Sequence, residues 1–364
     1  MREHFHVPDH YFLSHSVGCL PRGIRDALDQ SYLSPWQSGT NWSGWMPMVE
    51  QFRAGVASLL DVTAAAICPQ MNISSGLTKI IHALPRDPSR DVILLSKQDF
   101  PTIGFVIKMA ERVGYRLRFI DGDPMDITVW QAALDAQTAI VHITHALSDS
   151  SHLLPVADIC AATKRAGAIS IVDIAQSLCA VPTPVADWDP DFVLGTGVKF
   201  LCAGPGACFL YAKPEMWSAC EPVDVGWFSH ENPFEMDIVS FRYANDAMRF
   251  FGGTPSPAPL ICANAAITLW QSLDLNAEQN KIQSHLDYLM ESTPEQWRVS
   301  PNDPSRRGAT FVIKPDKPDV LAHSLADHSI LHDQRKTGFR FSVHAYTPED
   351  DIAHLADIIR RHRP

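Results

Sequence analysis

The sequence predicts an α/β protein: a mostly parallel sheet sandwiched by helices, with a smaller α+β unit after it. Three observations predict this. Between Ser75 and Asp173 helix-like segments alternate with short apolar runs, the pattern of parallel strands joined by crossover helices. The apolar runs stop at polar or turn-forming residues, as at Asp173 and Gly195-Thr-Gly197, where a buried strand passes into its loop. After about residue 250 the alternation gives way to two successive helices and then to strands with helices between and after them.

Taken in order, residues 1–45 form an N-terminal segment rich in Pro, Trp, Ser and Gly, with one helix-like piece near Arg22–Gln30. Its Trp36, Trp42 and neighbouring Trp45 suit either an arm packed on a second subunit or an aromatic wall for a substrate. A large unit spans residues 46–255. It opens with a helix in which Met48, Phe52, Val56, Leu59 and Leu60 share a face and Pro47 sits in the first turn. Helix Ser75–Leu84 precedes strand Val92–Ser96, and helix Ile103–Val113 precedes strand Arg116–Ile120. Helix Val129–Ala136 leads to strand Ala139–Ile143, and helix Val156–Ala166 to strand Ile169–Asp173. The small unit, residues 256–364, carries helices Ala258–Leu273 and Ala277–Met290. Strands Ala309–Ile313 and Gly338–Val343 follow, with helices Pro318–Ala326 and Pro348–Arg360.

Composition narrows the function. At 364 residues with 46% apolar side chains, the chain can bury a large core. A net charge of −11 argues against a nucleic-acid partner, whose binders carry a basic stripe. No stretch approaches the ~18 consecutive apolar residues of a membrane span, and Met1-Arg-Glu-His-Phe-His lacks the apolar core of a signal peptide. The eight cysteines contain no Cys-x-x-Cys pair, so free thiols in a cytoplasmic protein are expected. His4, His6 and His10 match no metal-ligand spacing, and no metal is expected.

The chemistry concentrates on Asp191-Phe-Val-Leu-Gly-Thr196-Gly-Val-Lys199-Phe-Leu-Cys-Ala-Gly204-Pro205-Gly206, a buried strand, a Gly-rich turn and a lysine with apolar flanks. Apolar surroundings disfavour an ammonium and free the amine to attack an aldehyde. A loop lysine snorkelling to water is the alternative for this stretch alone. A second strand, Ala168-Ile-Ser-Ile-Val-Asp173, ends in a carboxylate 26 residues before the lysine. Pyridoxal 5'-phosphate (PLP) needs such a pair: a lysine for its aldehyde, and a carboxylate on its ring nitrogen that keeps the ring an electron sink. In open sheets of this kind ligands sit at the carboxyl ends of the strands, where both residues fall.

Asp173-Ile-Ala-Gln176-Ser177, followed by Thr196-Gly-Val-Lys199 and Gly204-Pro-Gly206, resembles the class V group of fold-type I PLP enzymes. That group includes kynureninases, cysteine desulfurases, isopenicillin N epimerase-like proteins and several aminotransferases. The resemblance implies a seven-stranded-type sheet, PLP held by Lys199 as a Schiff base, and an L-amino acid as substrate. Asn72-Ile-Ser74-Ser75-Gly76 opens a helix and offers hydroxyls and backbone N–H groups to the phosphate; an ordinary cap is the alternative. Thr196 matches the family's hydroxyl on that phosphate. Gly253-Thr254 matches a pair that reaches it from a second subunit, so the resemblance implies a homodimer with a shared active site.

Within Asp99-Phe100-Pro101-Thr102, Phe100 corresponds to an aromatic that lies on the PLP ring, or else is a core aromatic at a strand end. Gln176 and His145 correspond to positions near the phenolic oxygen. Arg340, in Gly338-Phe-Arg340-Phe-Ser-Val-His344-Ala-Tyr346, corresponds to the arginine that takes the substrate carboxylate. Trp227 lies in a substrate-side loop, Gly226-Trp227-Phe228-Ser229-His230, and with Arg249–Pro255 this loop is most similar to kynureninases. Val198, Ile103 and Gln176 stand where kynureninases usually have Tyr, Asp and His. Expected is kynureninase-like hydrolysis of a carbon–carbon bond; an aminotransferase, a β-lyase or an epimerase on the same scaffold is the alternative. A silent PLP-fold protein used for regulation belongs to a different class, against which intact Lys199, Asp173 and Arg340 argue. Cysteine desulfurase chemistry needs a thiolate on a small-domain loop, and the last cysteine is Cys262.

Overall fold

The computed structural model describes residues 1–364. Its strands are β1 (Phe5–His6), β2 (Leu20–Pro21), β3 (Ile67–Gln70), β4 (Val92–Leu95), β5 (Arg116–Phe119), β6 (Thr138–Thr144), β7 (Ile169–Asp173), β8 (Phe192–Thr196), β9 (Cys208–Ala212), β10 (Thr310–Ile313), β11 (Asp333–Arg335) and β12 (Gly338–Ser342). Its helices are α1 (Ile24–Leu28), α2 (Ser34–Gln37), α3 (Trp42–Leu60), α4 (Ile73–Ala83), α5 (Pro101–Met109), α6 (Ile127–Ala133), α7 (Val156–Arg165), α8 (Val185–Trp188), α9 (Pro214–Ala219), α10 (Pro257–Gln271), α11 (Leu275–Glu291), α12 (Pro318–Asp327) and α13 (Glu349–Arg361).

Seven strands make the central sheet in the order β3-β9-β8-β7-β6-β4-β5. The strands β4 to β8 pair in parallel, and β9 runs against both of its neighbours, β3 and β8. Every residue of β3, β4, β8 and β9 is buried, as strands covered on both faces must be. The edge strand β5 carries Arg116 and Arg118, tied to Asp91 and Asp135, which marks that edge with charge. A three-stranded antiparallel sheet, β10-β12-β11, forms the second core with Phe311, Phe339 and Phe341.

Several element boundaries differ from expectation for local reasons. α3 begins at Trp42 rather than Pro47, because the Asn41 side chain accepts the Ser43 N–H and caps the helix a turn earlier. Pro47 therefore lies inside the helix. α5 starts at Pro101, which has no N–H to leave unpaired, and its last turn, Ala110–Val113, tightens to a 3-10 helix before Gly114 at φ 88°. α6 starts at Ile127 because Asp126 caps it. α10 packs with the large core through Leu260, Ala263, Ile267 and Trp270, whereas α11 contributes Ile282, Leu286 and Leu289 to the small one.

The N-terminal segment runs between the two cores. Phe12 is buried in the small core, and its carbonyl accepts the Ser342 N–H at 2.8 Å. Gly18 then donates to the Val198 carbonyl at 2.8 Å, and a Cβ there would lie 2.1 Å from the Lys199 carbonyl oxygen, so only glycine fits. Tyr32, Trp36, Trp42, Trp45 and Trp227 form one chain of ring contacts at 5.3–5.7 Å.

Candidate active site

A cavity of about 260 Å³ opens at the carboxyl ends of β6, β7 and β8. Ser74, Phe100, Asp173, Gln176, Thr196 and Lys199 all line it. Of the expected site residues, six thus meet in one place.

Lys199 follows β8 after the Gly197 turn. It keeps part of its surface open to the cavity while the protein encloses the rest. Burial pulls its pKa from 10.5 to about 8; Asp173 works against that fall, and Arg340 and Arg335 reinforce it. Its Nζ stands 5.8 Å from the centre of the Phe100 ring. Asp173 closes β7, and its Oδ1 accepts the Ala175 N–H at 2.8 Å. Burial raises its pKa, opposed by His142, by that N–H and by Lys199.

The opening of α4 supplies the polar end. Asn72 accepts the Ser75 N–H at 2.8 Å and the Ser74 hydroxyl at 2.6 Å, which fixes the first turn at the cavity wall. Gly76 is buried against β8: a Cβ there would meet Leu194 Cδ2 at 2.8 Å, so the residue brings helix and strand together. Thr196 Oγ1 accepts from the Cys208 thiol at 3.1 Å. Gln176 Nε2 donates to the His15 carbonyl at 3.1 Å, and its buried Oε1 has no partner.

Arg340 is fully buried in β12, and burial lowers its pKa to about 10. Nη1 donates to Asp333 Oδ2 at 2.9 Å, whereas Nε and Nη2 have no partner in the protein. Two buried guanidinium N–H groups without an acceptor are costly unless an acid arrives, and together they match a carboxylate's two oxygens.

The structure separates the other expected residues from this cavity. His145 is a correction: strand alternation sends Thr144 and Ala146 into the Lys199 cavity and turns His145 to the opposite side. There its ring packs on Trp188 at 4.6 Å, beside a cavity of about 790 Å³, and burial lowers its pKa to about 3. Ser75, Gly253 and Thr254 line a different cavity, of about 180 Å³, with Lys79. Trp227 belongs with them, since its Nε1 donates to Thr254 Oγ1 at 3.1 Å. Within one protomer these four residues do not reach the cavity of Lys199.

The fold also brings to the site several side chains that their sequence context does not mark. Thr144 has a buried hydroxyl without a partner, and only the register of β6 against β7, where Thr144 stands opposite Asp173, brings it to the site. Thr102 and Ser148 also line the cavity. Arg335 lies 5.8 Å from the centre of the Phe100 ring and donates to Ser148 and Asp149. His15 lies 3.3 Å from Asp333. The segment Asp333–Arg335 carries no apolar signal that would mark it as a strand.

The donor set fits PLP. An amine with a depressed pKa, a deep carboxylate, orphaned polar atoms at Thr144 and Gln176, an exposed phenylalanine face and a capped helix start surround one cavity. No group of three or more His, Cys, Asp or Glu side chains is arranged to hold a metal ion, and no helix is long and apolar enough to cross a membrane. Fold and site together define a fold-type I PLP enzyme.

The comparisons agree. The family model for "Aminotransferase class-V" matches residues 37–355, and the chain belongs to that family of PLP-dependent enzymes. It is 24% identical to a kynureninase of Pseudomonas fluorescens, over 96% of this chain and 87% of that protein. A kynureninase of Deinococcus radiodurans is 29% identical, over 89% of this chain and 82% of its own. Among solved structures, a C-DES mutant with glycine covalently linked to its PLP cofactor superposes with a TM-score of 0.88 at 20% identity, covering 100% of both chains. The apo cysteine desulfurase of Thermococcus onnurineus gives 0.84 at 19%, covering 96% of this chain and 94% of its own. At such identities these structures speak for the fold alone.

Proposed function

We propose that the protein hydrolyses a carbon–carbon bond in an L-amino acid that carries a carbonyl on its side chain, as kynureninases do. The observation that carries this is Lys199 and Asp173 in one cavity, with the unpaired Nε and Nη2 of Arg340 belonging to the same charge field. PLP supplies an aldehyde for an amine and an electron sink for the bond that breaks. Lys199 holds the cofactor and afterwards moves the proton at Cα, a role its pKa near 8 suits. Asp173 holds the proton on the ring nitrogen. Arg340 would orient the substrate carboxylate, and Phe100 would cover the cofactor ring and keep water from it. Ser74, the start of α4 and Thr196 would hold the phosphate, and the unpartnered Thr144 hydroxyl and Gln176 carbonyl would be available to the phenolic oxygen. In the overall reaction R–CO–CH2–CH(NH3⁺)COO⁻ and water give R–COO⁻, alanine and a proton.

A homodimer completes this site in the reading. Gly253 and Thr254, with Trp227 bonded to Thr254, line or flank a face outside the Lys199 cavity and would serve the second subunit's phosphate and substrate. Exposed Val223, Phe234, Met236, Ile238 and Val239 on the neighbouring loop are apolar surface suited to a subunit contact. All eight cysteines are free, which suits a reducing cytoplasm.

A second reading, transamination or β-elimination, is favoured at three positions. Val198 and Gln176 stand at the lysine loop and in the cavity, and the buried, cavity-lining Ile103 brings no carboxylate. Cysteine desulfurase activity is disfavoured because the hairpin of β11 and β12 carries no cysteine; Cys262 lies in α10. The deciding experiment incubates the protein with β-acyl L-amino acids. Alanine release without a keto acid supports the hydrolase. Conversion of the bound cofactor to its amine form, reversed by a keto acid, supports the aminotransferase. Pyruvate with ammonia from an L-amino acid that carries a leaving group on Cβ, such as β-chloro-L-alanine, supports β-elimination.

A further inference from the structure

We propose that His142, oriented by Asp99, is a positioning residue for the ring nitrogen of PLP and acts through Asp173. The inference rests on the role given to Asp173 above, and not on which bond the enzyme breaks. His142 is fully buried in β6, and its Nδ1 lies 3.2 Å from Asp99 Oδ2, a carboxylate whose side chain is 3% exposed. Its Nε2 has no hydrogen-bond partner, and neither has Asp99 Oδ1.

The strands β6 and β7 are parallel, with His142 opposite Ile171 and Thr144 opposite Asp173. His142 and Asp173 therefore leave the sheet on the same face, one strand and one step apart. Asp173 lines the cavity, and His142 and Asp99 stand behind it. Around Asp173 the charged or titratable groups are His142 from β6, Lys199 from the β8 turn and Asp99 from the loop after β4. Burial raises the pKa of the Asp173 carboxyl, and His142 and Lys199 are the groups among these that oppose it.

Nδ1 of His142 is paired with Asp99, Nε2 is left without a partner, and Asp173 is the carboxylate on the same face of the sheet. No direct hydrogen bond or ion pair joins His142 to Asp173, and Asp173 is the residue that would meet the ring nitrogen. Once the Lys199 nitrogen is committed to the cofactor's aldehyde, it no longer serves Asp173 as a free ammonium. His142 then remains as the imidazole on the Asp173 face of β6. Without His142 the two carboxylates face each other as like charges in a dry site, Asp173 is driven toward its neutral form, and its grip on the ring nitrogen weakens.

The test uses apoprotein of the whole chain and two ligands: PLP, and its 1-deaza analogue, in which carbon replaces the ring nitrogen. Affinities are measured for the parent and for His142→Phe, His142→Asn and Asp99→Asn. In His142→Phe, PLP should bind about tenfold more weakly or worse, the equivalent of one unit in the pKa of Asp173, while the deaza analogue changes by less than about twofold. His142→Asn, which still donates, should recover part of the loss, and Asp99→Asn should act in the same direction. A merely structural histidine would weaken both ligands alike; that result, or unchanged PLP affinity, overturns the proposal. If His142→Phe does not fold, the other two variants carry the same comparison. No substrate enters the assay, so failure of the hydrolase reading leaves this inference standing.

Discussion

The Lys199 amine should react with aldehydes at a pH far below that of an ordinary lysine. Its pKa falls from 10.5 to about 8 because burial strips water from the ammonium and Arg340 and Arg335 repel it, while Asp173 restrains the fall. At pH 8 about half of the amine is then neutral, against roughly 0.3% of a lysine with pKa near 10.5, a gain of roughly a hundredfold in reactive form. The assay mixes apoprotein with PLP, traps the product with borohydride at short times and measures Lys199 occupancy by mass spectrometry as pH is varied. The initial rate should climb tenfold per unit at low pH and level off near pH 8. Asp173→Asn should move the plateau to lower pH, because it removes the group that holds the pKa up. The sign for stability also follows. Between about pH 8 and the ordinary lysine value the unfolded chain binds the proton that the folded apoprotein has released, so this residue's contribution to stability rises with pH across that window. A rate that keeps rising through the ordinary lysine range would refute the reasoning, since it would mean that the amine is solvated.

The other predictions concern the walls of the site. Gly18→Ala should place a methyl 2.1 Å from the Lys199 carbonyl and 2.6 Å from Cys202 Sγ; the overpacking costs about 1–3 kcal/mol or more, read as a lower melting temperature and a weakened hold on the cofactor. Arg340→Lys should lose the planar pair of donors and about 1.5–3 kcal/mol of carboxylate binding, so kcat/KM for the amino acid should fall about tenfold to a hundredfold while PLP binding is retained. Thr144→Val should weaken PLP by up to about tenfold through one lost hydrogen bond, whereas His145→Gln should leave its affinity within about twofold; equal effects from both would contradict the strand alternation seen here.

How much of this was legible depends on what kind of signal each residue gives. Asp173 and Lys199 announce themselves because each ends an apolar run, and a charge at that position has few uses. The sheet was legible for the same reason, since β4 is a continuous apolar segment and β6, β7 and β8 are apolar through most of their length. His145 and Thr144 show the limit of that signal. Both sit at the end of one strand, buried on both faces, so hydropathy cannot say which side chain enters the cavity; only the register against Asp173 does. The hairpin carrying Asp333 and Arg335 was hidden because its strand is three polar residues, held by pairing to β12 rather than by its own composition. The start of α3 was misplaced because a proline signal outweighed an asparagine cap, and in the structure the cap prevails.

The N-terminal segment explains why two halves of the site can act together. Gly18 is bonded to the turn that bears Lys199. Three residues earlier, His15 passes its carbonyl to Gln176, its N–H and Nδ1 to Ser342 Oγ, and its Nε2 to the neighbourhood of Asp333, the carboxylate that holds Arg340. Burial lowers the pKa of His15 to about 4, so at neutral pH it adds no charge to the field around Arg340 and serves as a spacer. The lysine belongs to the seven-stranded sheet and the arginine to the three-stranded one, and the stretch from His15 to Gly18 ties them to each other. Sequence proximity gives no hint of the tie, because His15 and Ser342 are 327 positions apart. Binding a carboxylate at Arg340 therefore has a direct mechanical route to the lysine turn, through bonds that a loosely tethered arm would not make.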